Sequence, residues 1–424
     1  MLLHPEATVR DRRFRHDLFP ASDALRNLVA DIVERLLRYE DKHHVRKRKR
    51  KPRDLDGLRN VVAGIVANLV HSTVFSAASA AIILPLANAR KVRISPVLPG
   101  FGRGLKAVLQ GLQAIGVAIV TLPTELHQAT TIAPSEGFRG EVLLHAFTTH
   151  DFRWSPVIDC IHLNRKDRQG KREAFAIPTT AEAALYREEM EAINGYLASA
   201  DIAYVGNDPV DTSDRLMARY FNHPPHVSRP SLDLGGRMFG GFWQGLKRGA
   251  RRHIRISGEP IVELDYRQMF PRLAYSHVQA GPPSDDDDLY DLPQLAGIGS
   301  DHRDTVKKAF NALMFKAGTM RKWPPEIAEG LPSGCSVGAF RKALVGRHPA
   351  ITDLLNTGIG YRLMNRESCI MCRVLMGCIA LGITVLPIHD AVLCPASAAF
   401  MVQQIMADAA RYVVGHTVPV SVKP

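Results

Sequence analysis

The sequence contains little cysteine, and its cysteines are not spaced as a disulfide framework. Six of the 424 residues are cysteine, which argues against a disulfide-stabilised secreted domain and favours a reducing compartment, the cytoplasm. Cys369 and Cys372 form a C-x-x-C pair, but no second pair or histidine stands nearby at metal-site spacing. We therefore expect this pair to pack on the buried side of a helix, with a metal or redox role as the alternative.

A secretory signal and an uninterrupted membrane span are also missing. The N-terminus has no clean apolar core followed by a cleavage site. Residues 61–89 are apolar enough to suggest a membrane span, but polar side chains such as Asn68 and His71 are spread along them and Pro85 breaks the stretch. We interpret residues 61–89 as buried helices of a soluble domain.

Acidic residues are outnumbered by basic ones. The chain has 54 Lys and Arg against 42 Asp and Glu, a net charge of +12, which favours an anionic partner such as nucleic acid. Six consecutive cations run from Arg46 to Lys51. They predict an arm in which Arg46, Lys47 and Arg48 bind phosphates without reading base sequence. A solvated linker is the alternative.

The stretch 259–275 begins as a strand and ends as a helix. Ile261, Glu263 and Asp265 alternate with apolar neighbours and so share one face. Asp265 stands where the apolar run ends. A carboxylate at the end of a buried strand needs a charged partner, and a divalent metal is a common one in enzymes that handle phosphates. The alternative is an aspartate that caps the next turn.

Two further stretches supply residues for the same chemistry. His389 and Asp390 lie between two short apolar runs, which predicts a hairpin with a carboxylate at its tip. Between the two aspartates, one predicted helix carries two cations, an amide and an aromatic ring at intervals of four residues, along one face. Such a face suits a triphosphate and a base. These residues are Arg303, Lys307, Asn311 and Phe315.

At these positions the chain resembles the polymerase core of family A DNA polymerases. Four motifs carry the resemblance in the family's order, over roughly residue 233 to the end of the sequence. They are Gly235-Gly236-Arg237, similar to T-G-R; Asp265-Tyr266-x-Gln268-x3-Arg272, similar to motif A; Arg303-x3-Lys307-x7-Phe315-x2-Gly318, similar to motif B; and His389-Asp390, similar to the start of H-D-E in motif C. Small bacterial and mobile-element proteins with a nonstandard N-terminal half also share such motifs.

The resemblance implies an α+β fold: a right-hand polymerase palm with an antiparallel sheet and helical fingers. It implies a DNA polymerase that uses primer-template DNA and dNTPs, with two Mg²⁺ (or Mn²⁺) ions held by Asp265 and Asp390. The implied nucleotide-binding residues are Arg303, Lys307, Asn311, Phe315, Phe270 and Tyr266. The implied nucleic-acid-binding residues are Arg237, Gln268, Arg272, His389 and, on a helix before motif C, Asn365 with Arg366.

The chain departs from the family pattern at the sugar-contact positions and in motif C. Phe270 stands where the family has a glutamate, and its ring is expected to exclude a ribose 2′-hydroxyl sterically. Ala391 replaces the motif C glutamate, Phe315 replaces a tyrosine, and Asn311 replaces a ring. A single-subunit RNA polymerase or primase is therefore one alternative. A non-catalytic DNA-binding replication protein is another.

The upstream half of the chain has no motif of this family. Residues 1–41 read as one helix, and a helix, Gly116 and a short strand at 117–120 outline a winged helix or another small helical domain. We predict an N-terminal helix and basic linker (1–55), a mainly helical domain (56–150), a thumb-like or connecting region (151–232) and the palm and fingers (233–424). No D-x-E proofreading signature lies upstream, so we expect modest fidelity.

The tetra-aspartate run Asp285–Asp288 resembles a metal cluster in composition. Four adjacent acids repel one another and do not converge on one ion, so we expect a solvated loop instead.

Overall fold

A computed structural model describes most of the chain: residues 12–46, 48–75, 81–84, 105–123, 130–155, 159–166, 172–224, 227, 229–281, 284–295 and 297–423. Two units divide it between them. The first consists of Met1–Ile158 and Asn207–Asp214, and the second of Asp159–Gly206 and Arg215–Pro424.

The first unit combines helices and short strands around one hydrophobic core. Buried residues from all of its described helices contribute to that core. The helices are α1 (Asp23–Lys42), α2 (Pro52–Phe75), α3 (Leu105–Ala114) and α4 (Glu136–Leu144). The strands are β1 (Arg12–Arg13), β2 (Leu18–Pro20), β3 (Ile82–Leu84), β4 (Ala118–Thr121), β5 (Thr130–Pro134) and β6 (Phe152–Trp154).

Helix α1 shows how the first unit begins. The Ser22 hydroxyl accepts a hydrogen bond from the Leu25 amide at 3.2 Å and so caps the helix. Leu25, Leu28 and Ile32 then lie buried along one face. The predicted helix over residues 1–41 is wrong at its start, because β1 and β2 precede the cap and the helix begins at Asp23.

The helix, glycine and strand outlined by the sequence are confirmed as α3, Gly116 with φ of 75° and β4. Strand β4 pairs antiparallel with β5. In the described residues these strands belong to a four-stranded sheet of order β1-β3-β5-β4, in which β1 runs parallel to β3. The unit therefore contains a sheet that the helical pattern did not indicate. A winged helix stays a prediction.

Helix α2 is long and apolar enough to cross a membrane by length and composition, a test that the core helix of a soluble protein also passes. Its most apolar window is 67% buried. The Asn68 amide donates to the carbonyl oxygens of Arg15 and Gly64, at 2.8 Å each. Because its polar side chain is satisfied inside the unit, α2 is explained as a core helix. The helix ends at Phe75, and Ile82–Leu84, which the sequence predicted as helix, form β3. Residues 76–80 and 85–89 of that predicted stretch lie outside the described residues.

The second unit contains two sheets with helices packed against them. One sheet has the order β11-β10-β7-β8; the other has the order β14-β15-β13-β12-β9, with β16 pairing on β13. The strands are β7 (Ile161–Lys166), β8 (Arg172–Phe175), β9 (Ile202–Tyr204), β10 (Met217–His223), β11 (Gly235–Gly240), β12 (Ile254–Ile256), β13 (Glu259–Tyr266), β14 (Leu386–Ile388), β15 (Ala391–Pro395) and β16 (Val420–Lys423).

The helices of the second unit confirm several predicted elements. The helix predicted over 181–198 is α5, the helix with the cations is α9, and the helix before His389 is α12. The set is α5 (Ala181–Ser199), α6 (Phe242–Gly245), α7 (Arg248–Arg251), α8 (Met269–His277), α9 (Arg303–Phe315), α10 (Pro325–Ala328), α11 (Val337–Arg347), α12 (Gly360–Ala380) and α13 (Ala399–Val414). The fold is thus a mixture of helices and largely antiparallel sheets, as the α+β expectation requires.

The segment 151–232, predicted as a thumb-like or connecting region, contributes to both units. Strand β6 and residues 207–214 belong to the first unit, whereas β7, β8, α5, β9 and β10 belong to the second.

Candidate active site

Strand β13 and the β14–β15 hairpin bring Asp265 and Asp390 together. Asp265 on β13 lies opposite Ala391 on β15, and the Tyr266 amide donates to the Asp390 carbonyl oxygen at 3.2 Å. His389 and Asp390 form the turn of the hairpin, as the sequence predicts. His389 takes a left-handed φ of 56°, an uncommon conformation for a residue with a side chain. The strand register therefore sets two carboxylates side by side at the end of the sheet.

The two carboxylates influence each other. Burial and the neighbouring charge of Asp390 raise the pKa of Asp265 to about 6, although Lys423 and Lys307 act in the opposite direction. The Lys423 amine, on β16, contacts the Asp265 carboxylate directly. A half-buried pair of neighbouring carboxylates of this kind is a place where a cation binds.

The donor set fits one divalent ion of the magnesium type. Mg²⁺ is commonly held by one or two carboxylates, with water and substrate phosphates as its other ligands. Asp265 and Asp390 meet that requirement. No group of three or more His, Cys, Asp or Glu side chains suited to a metal occurs anywhere in the part of the chain that the structure describes.

A third buried acid, Glu367 on α12, lies beside this pair and was missed by the sequence analysis. Its carboxylate accepts two hydrogen bonds from Arg237, at 2.6 Å from Nε and 2.8 Å from Nη2. Only 1% of the Glu367 side chain is exposed. Burial raises its pKa to about 7; Arg237 opposes that shift and the charge of Asp390 adds to it.

A signal for Glu367 exists in the sequence. It lies four residues after Leu363 and four before Met371, both buried on α12, so it falls within an apolar helical stripe. Its neighbours, predicted to face nucleic acid, are placed differently: Asn365 is buried and its amide donates to the Leu232 carbonyl oxygen at 2.9 Å, while Arg366 is exposed.

Two glycines set the position of Arg237. Gly235 and Gly236 have φ values of 80° and 89°, which a side chain would disfavour. A Cβ at Gly235 would lie 2.3 Å from the side-chain nitrogen Nδ2 of Asn222, and one at Gly236 would lie 2.8 Å from the Phe221 ring. The register of β10 with β11 shifts at this point. The Gly-Gly-Arg sequence is therefore required by the close approach of β11 to β10.

Aromatic rings connect Arg237 to α9. The Arg237 guanidinium lies 5.7 Å from the centre of the Phe270 ring, and that ring lies 5.5 Å from Phe315. Phe315 also packs edge-on against Tyr361 at 5.0 Å. A Cβ at Gly360 would lie 2.7 Å from the Phe315 ring, so glycine is needed there for this packing. The structure thus joins three of the predicted residues in one cluster.

Helix α9 presents its cations at one edge of the site. Lys307 is exposed and its charge acts on both Asp265 and Glu367. Arg303, which is partly exposed, donates to Asp288 at 2.5 Å and 3.1 Å. The Oδ1 atom of Asn311 is buried and has no hydrogen-bond partner within the described residues. An acceptor of that kind is available for a ligand that donates a hydrogen bond.

The tetra-aspartate run is ion-paired rather than simply solvated, and this departs from the expectation. Three of its four carboxylates reach arginines: Asp285 with Arg272 at 3.0 Å, Asp287 with Arg347 at 3.6 Å and Asp288 with Arg303. Arg272 is fully buried.

Gln268 belongs to the same arrangement. It has a left-handed φ of 55°, donates to Asp288 at 3.2 Å and accepts from the Leu289 amide at 3.2 Å. Arg272 and Gln268, both predicted to bind nucleic acid, are therefore occupied by the acidic loop in this structure.

Tyr266 and His389 have distinct surroundings. Tyr266 is 1% exposed, and its hydroxyl donates to the Met406 carbonyl oxygen at 2.6 Å, on the sheet face opposite Asp265. The His389 ring packs against Phe239 at 5.2 Å, and its buried Nδ1 has no partner among the residues described. Burial and nearby Arg237 lower the pKa of His389.

The basic run belongs to the first unit. Arg46 and Arg48 are exposed, Lys47 lies outside the described residues, and Arg50 pairs with Glu40. Within the described part of the run, Arg50 is held by an ion pair, whereas Arg46 and Arg48 form none.

No protein-family model matches the chain, and no curated protein matches it. Among solved structures, it is similar to the POL domain of Pol1 from M. smegmatis in complex with DNA primer-template and dNTP. The TM-score is 0.30 with 12% identity, over 57% of this chain and 50% of that one. The chain thus spans half of the polymerase chain. A likeness of this size carries no argument about function, and the chemistry is inferred from the site alone.

Proposed function

We propose that the protein is a template-directed nucleotidyltransferase that makes DNA. The supporting observation is the pairing of Asp265 and Asp390 at the end of one sheet. Around them lie the Arg237–Glu367 pair and the cationic edge of α9. In this proposal the sheet of β13, β14 and β15 is the palm and α9 belongs to the fingers. Primer-template DNA and dNTPs are the partners.

The reaction is a displacement at phosphorus. The primer 3′-hydroxyl loses its proton to water, and its oxygen forms a bond to the α-phosphorus of the nucleotide. The bond from that phosphorus to the bridging oxygen breaks, and pyrophosphate leaves with the electron pair. Lys307 and Arg303 bind the triphosphate, whose negative charge increases as the bond breaks. Mg²⁺ held by Asp265 and Asp390 would lower the pKa of the 3′-hydroxyl and stabilise the leaving pyrophosphate.

The remaining residues of the cluster position the substrates. Phe315 stacks on a base, and Phe270, packed between Arg237 and Phe315, crowds the 2′ position of the sugar. Arg237, held in place by two hydrogen bonds to Glu367, contacts the primer terminus. Its charge suits the polar edge of a duplex minor groove.

Primer extension tests this proposal. Purified protein is given Mg²⁺, a primed template and dNTPs, beside Asp390→Ala and a matched control, Asp286→Ala. Asp286 is an exposed acid of the loop. We expect template-encoded extension that Asp390→Ala lowers at least about a thousandfold, because several kcal/mol of charge stabilisation are lost. Extension by Asp286→Ala should be unchanged. Equal extension by wild type and Asp390→Ala would exclude the proposed site.

The sugar preference is tested in the same assay with NTPs. Phe270→Leu replaces the ring that is proposed to crowd the 2′ position with a smaller apolar side chain. It should raise the use of NTPs relative to dNTPs about tenfold, the size of effect that a small change in an apolar pocket produces. A wild type that prefers NTPs would indicate an RNA polymerase or primase instead.

A further inference from the structure

The contact between Lys423 and Asp265 is built into the sheet. Strand β16 pairs antiparallel with β13, with Lys423 opposite Glu263 and Ser421 opposite Asp265. Directly opposite residues share a face, and so do alternate residues along one strand. Lys423, Glu263 and Asp265 therefore lie on the same face, and the Lys423 amine reaches the Asp265 carboxylate diagonally across the strand pair. The Ser421 hydroxyl donates to the Asp265 carbonyl oxygen at 3.4 Å.

The position of this amine is restricted on both sides. The backbone ladder fixes Lys423 relative to β13, and the Asp265 side chain is only 13% exposed. The other acid on the shared face, Glu263, is directed to Arg251, at 4.0 Å. On β15, the residue opposite Asp265 is Ala391, which offers no carboxylate.

These facts limit the number of divalent ions that the aspartates can hold. Two ions placed together normally share several carboxylates, since each ion must be neutralised. The neighbouring acids are already held by arginines: Glu367 accepts two hydrogen bonds from Arg237, and Glu263 is directed to Arg251. Of the two aspartates that remain for an ion, Asp265 already contacts an ammonium group. A second divalent ion at Asp265 would have to displace that group.

We propose that Lys423 supplies the second positive charge of the active site, so that Asp265 and Asp390 hold a single divalent ion. This inference rests on the proposed function, and it replaces the two ions that the resemblance to family A polymerases implies. Lys423 acts through Asp265 and is a positioning residue: its amine forms and breaks no bond, and the proton of the primer hydroxyl still leaves to water. The amine belongs to the chain itself, so one of the two positive groups at the carboxylates does not depend on metal concentration.

Counting bound ions tests the inference directly. The protein is assembled with a primer-template that ends in a dideoxynucleotide and the matching dNTP, and free Mn²⁺ is followed by electron paramagnetic resonance. Asp390→Ala, measured in parallel, accounts for Mn²⁺ held by DNA and nucleotide alone. We expect the wild type to bind about one ion per chain more than Asp390→Ala does. Lys423→Ala should bind about two more than Asp390→Ala, because the ammonium group has gone.

Two variants serve as controls. Lys423→Arg keeps the charge and should hold the count at about one ion, whereas a merely structural contribution of the amine would not follow the charge. Lys308→Ala removes the same charge from an exposed position on α9 and should leave the count unchanged. Extension by Lys423→Ala should also depend more steeply on Mg²⁺ than extension by the wild type.

The outcomes separate this inference from the proposed function. A count of about two ions in the wild type, or the same count in the wild type and Lys423→Ala, would overturn the role of Lys423. Template-encoded extension by the wild type would then still support the proposed function. No Asp390-dependent ion in either protein would overturn it as well. Failure of the proposed function appears elsewhere, as absence of template-encoded extension by the wild type.

Discussion

The Glu367→Gln substitution removes a buried carboxyl and keeps its shape. Burial raises the pKa of Glu367 from its ordinary 4.5 to about 7, so the folded chain holds this proton more tightly than the unfolded chain does. The free energy of unfolding therefore falls as pH rises through that window. At about 1.4 kcal/mol per pKa unit, the wild type should lose about 2 to 3 kcal/mol relative to Glu367→Gln between about pH 5 and about pH 8.

Urea unfolding at constant ionic strength measures this difference. In a Trp154→Phe background the remaining tryptophans, Trp243 and Trp323, both report on the second unit. Asp265, whose pKa is also raised, is present in both proteins and cancels in the comparison.

The sign of the pH dependence shows whether burial, which raises the pKa of Glu367, outweighs Arg237, which lowers it. A constant difference between the two proteins, or a wild type that gains relative to Glu367→Gln as pH rises, would refute the reasoning. It would mean that Arg237 outweighs burial and that Glu367 stays ionised.

Two further predictions concern α9. Asp288→Ala frees Arg303 to bind the nucleotide. Because the two side chains of that ion pair are about 40% exposed, we expect nucleotide affinity, measured by fluorescence titration, to rise no more than about fivefold. The control Asp286→Ala, from the same acidic run, should bind nucleotide like the wild type. Gly360→Ala places a Cβ 2.7 Å from the Phe315 ring, so it should lower the free energy of unfolding by about 1 to 3 kcal/mol instead of stabilising the helix. In urea unfolding, Gly360→Ala should cost less stability in a Phe315→Leu background than in the wild type. Equal losses in the two backgrounds would contradict the clash.

Local sequence patterns were sufficient to predict the elements that carry the motifs. The alternation around Asp265 predicted β13, the four-residue interval from Arg303 to Phe315 predicted α9, and two apolar runs beside His389 predicted the β14–β15 hairpin. These predictions succeeded because periodic burial is a property of neighbouring residues. The placement of a carboxylate at the end of each of two strands also required no tertiary information.

Tertiary structure decided which of these side chains meet. Arg237 and Glu367 are 130 residues apart in sequence. They meet because β11 packs on α12, where Glu367 is buried and Arg237 is half-buried. Lys423 reaches Asp265 through the register of β16 on β13, and a shift of one residue would turn that lysine to the other face. Register and burial depend on the whole sheet rather than on neighbouring residues, which is why the sequence indicated the two aspartates and the fold supplied the charges around them.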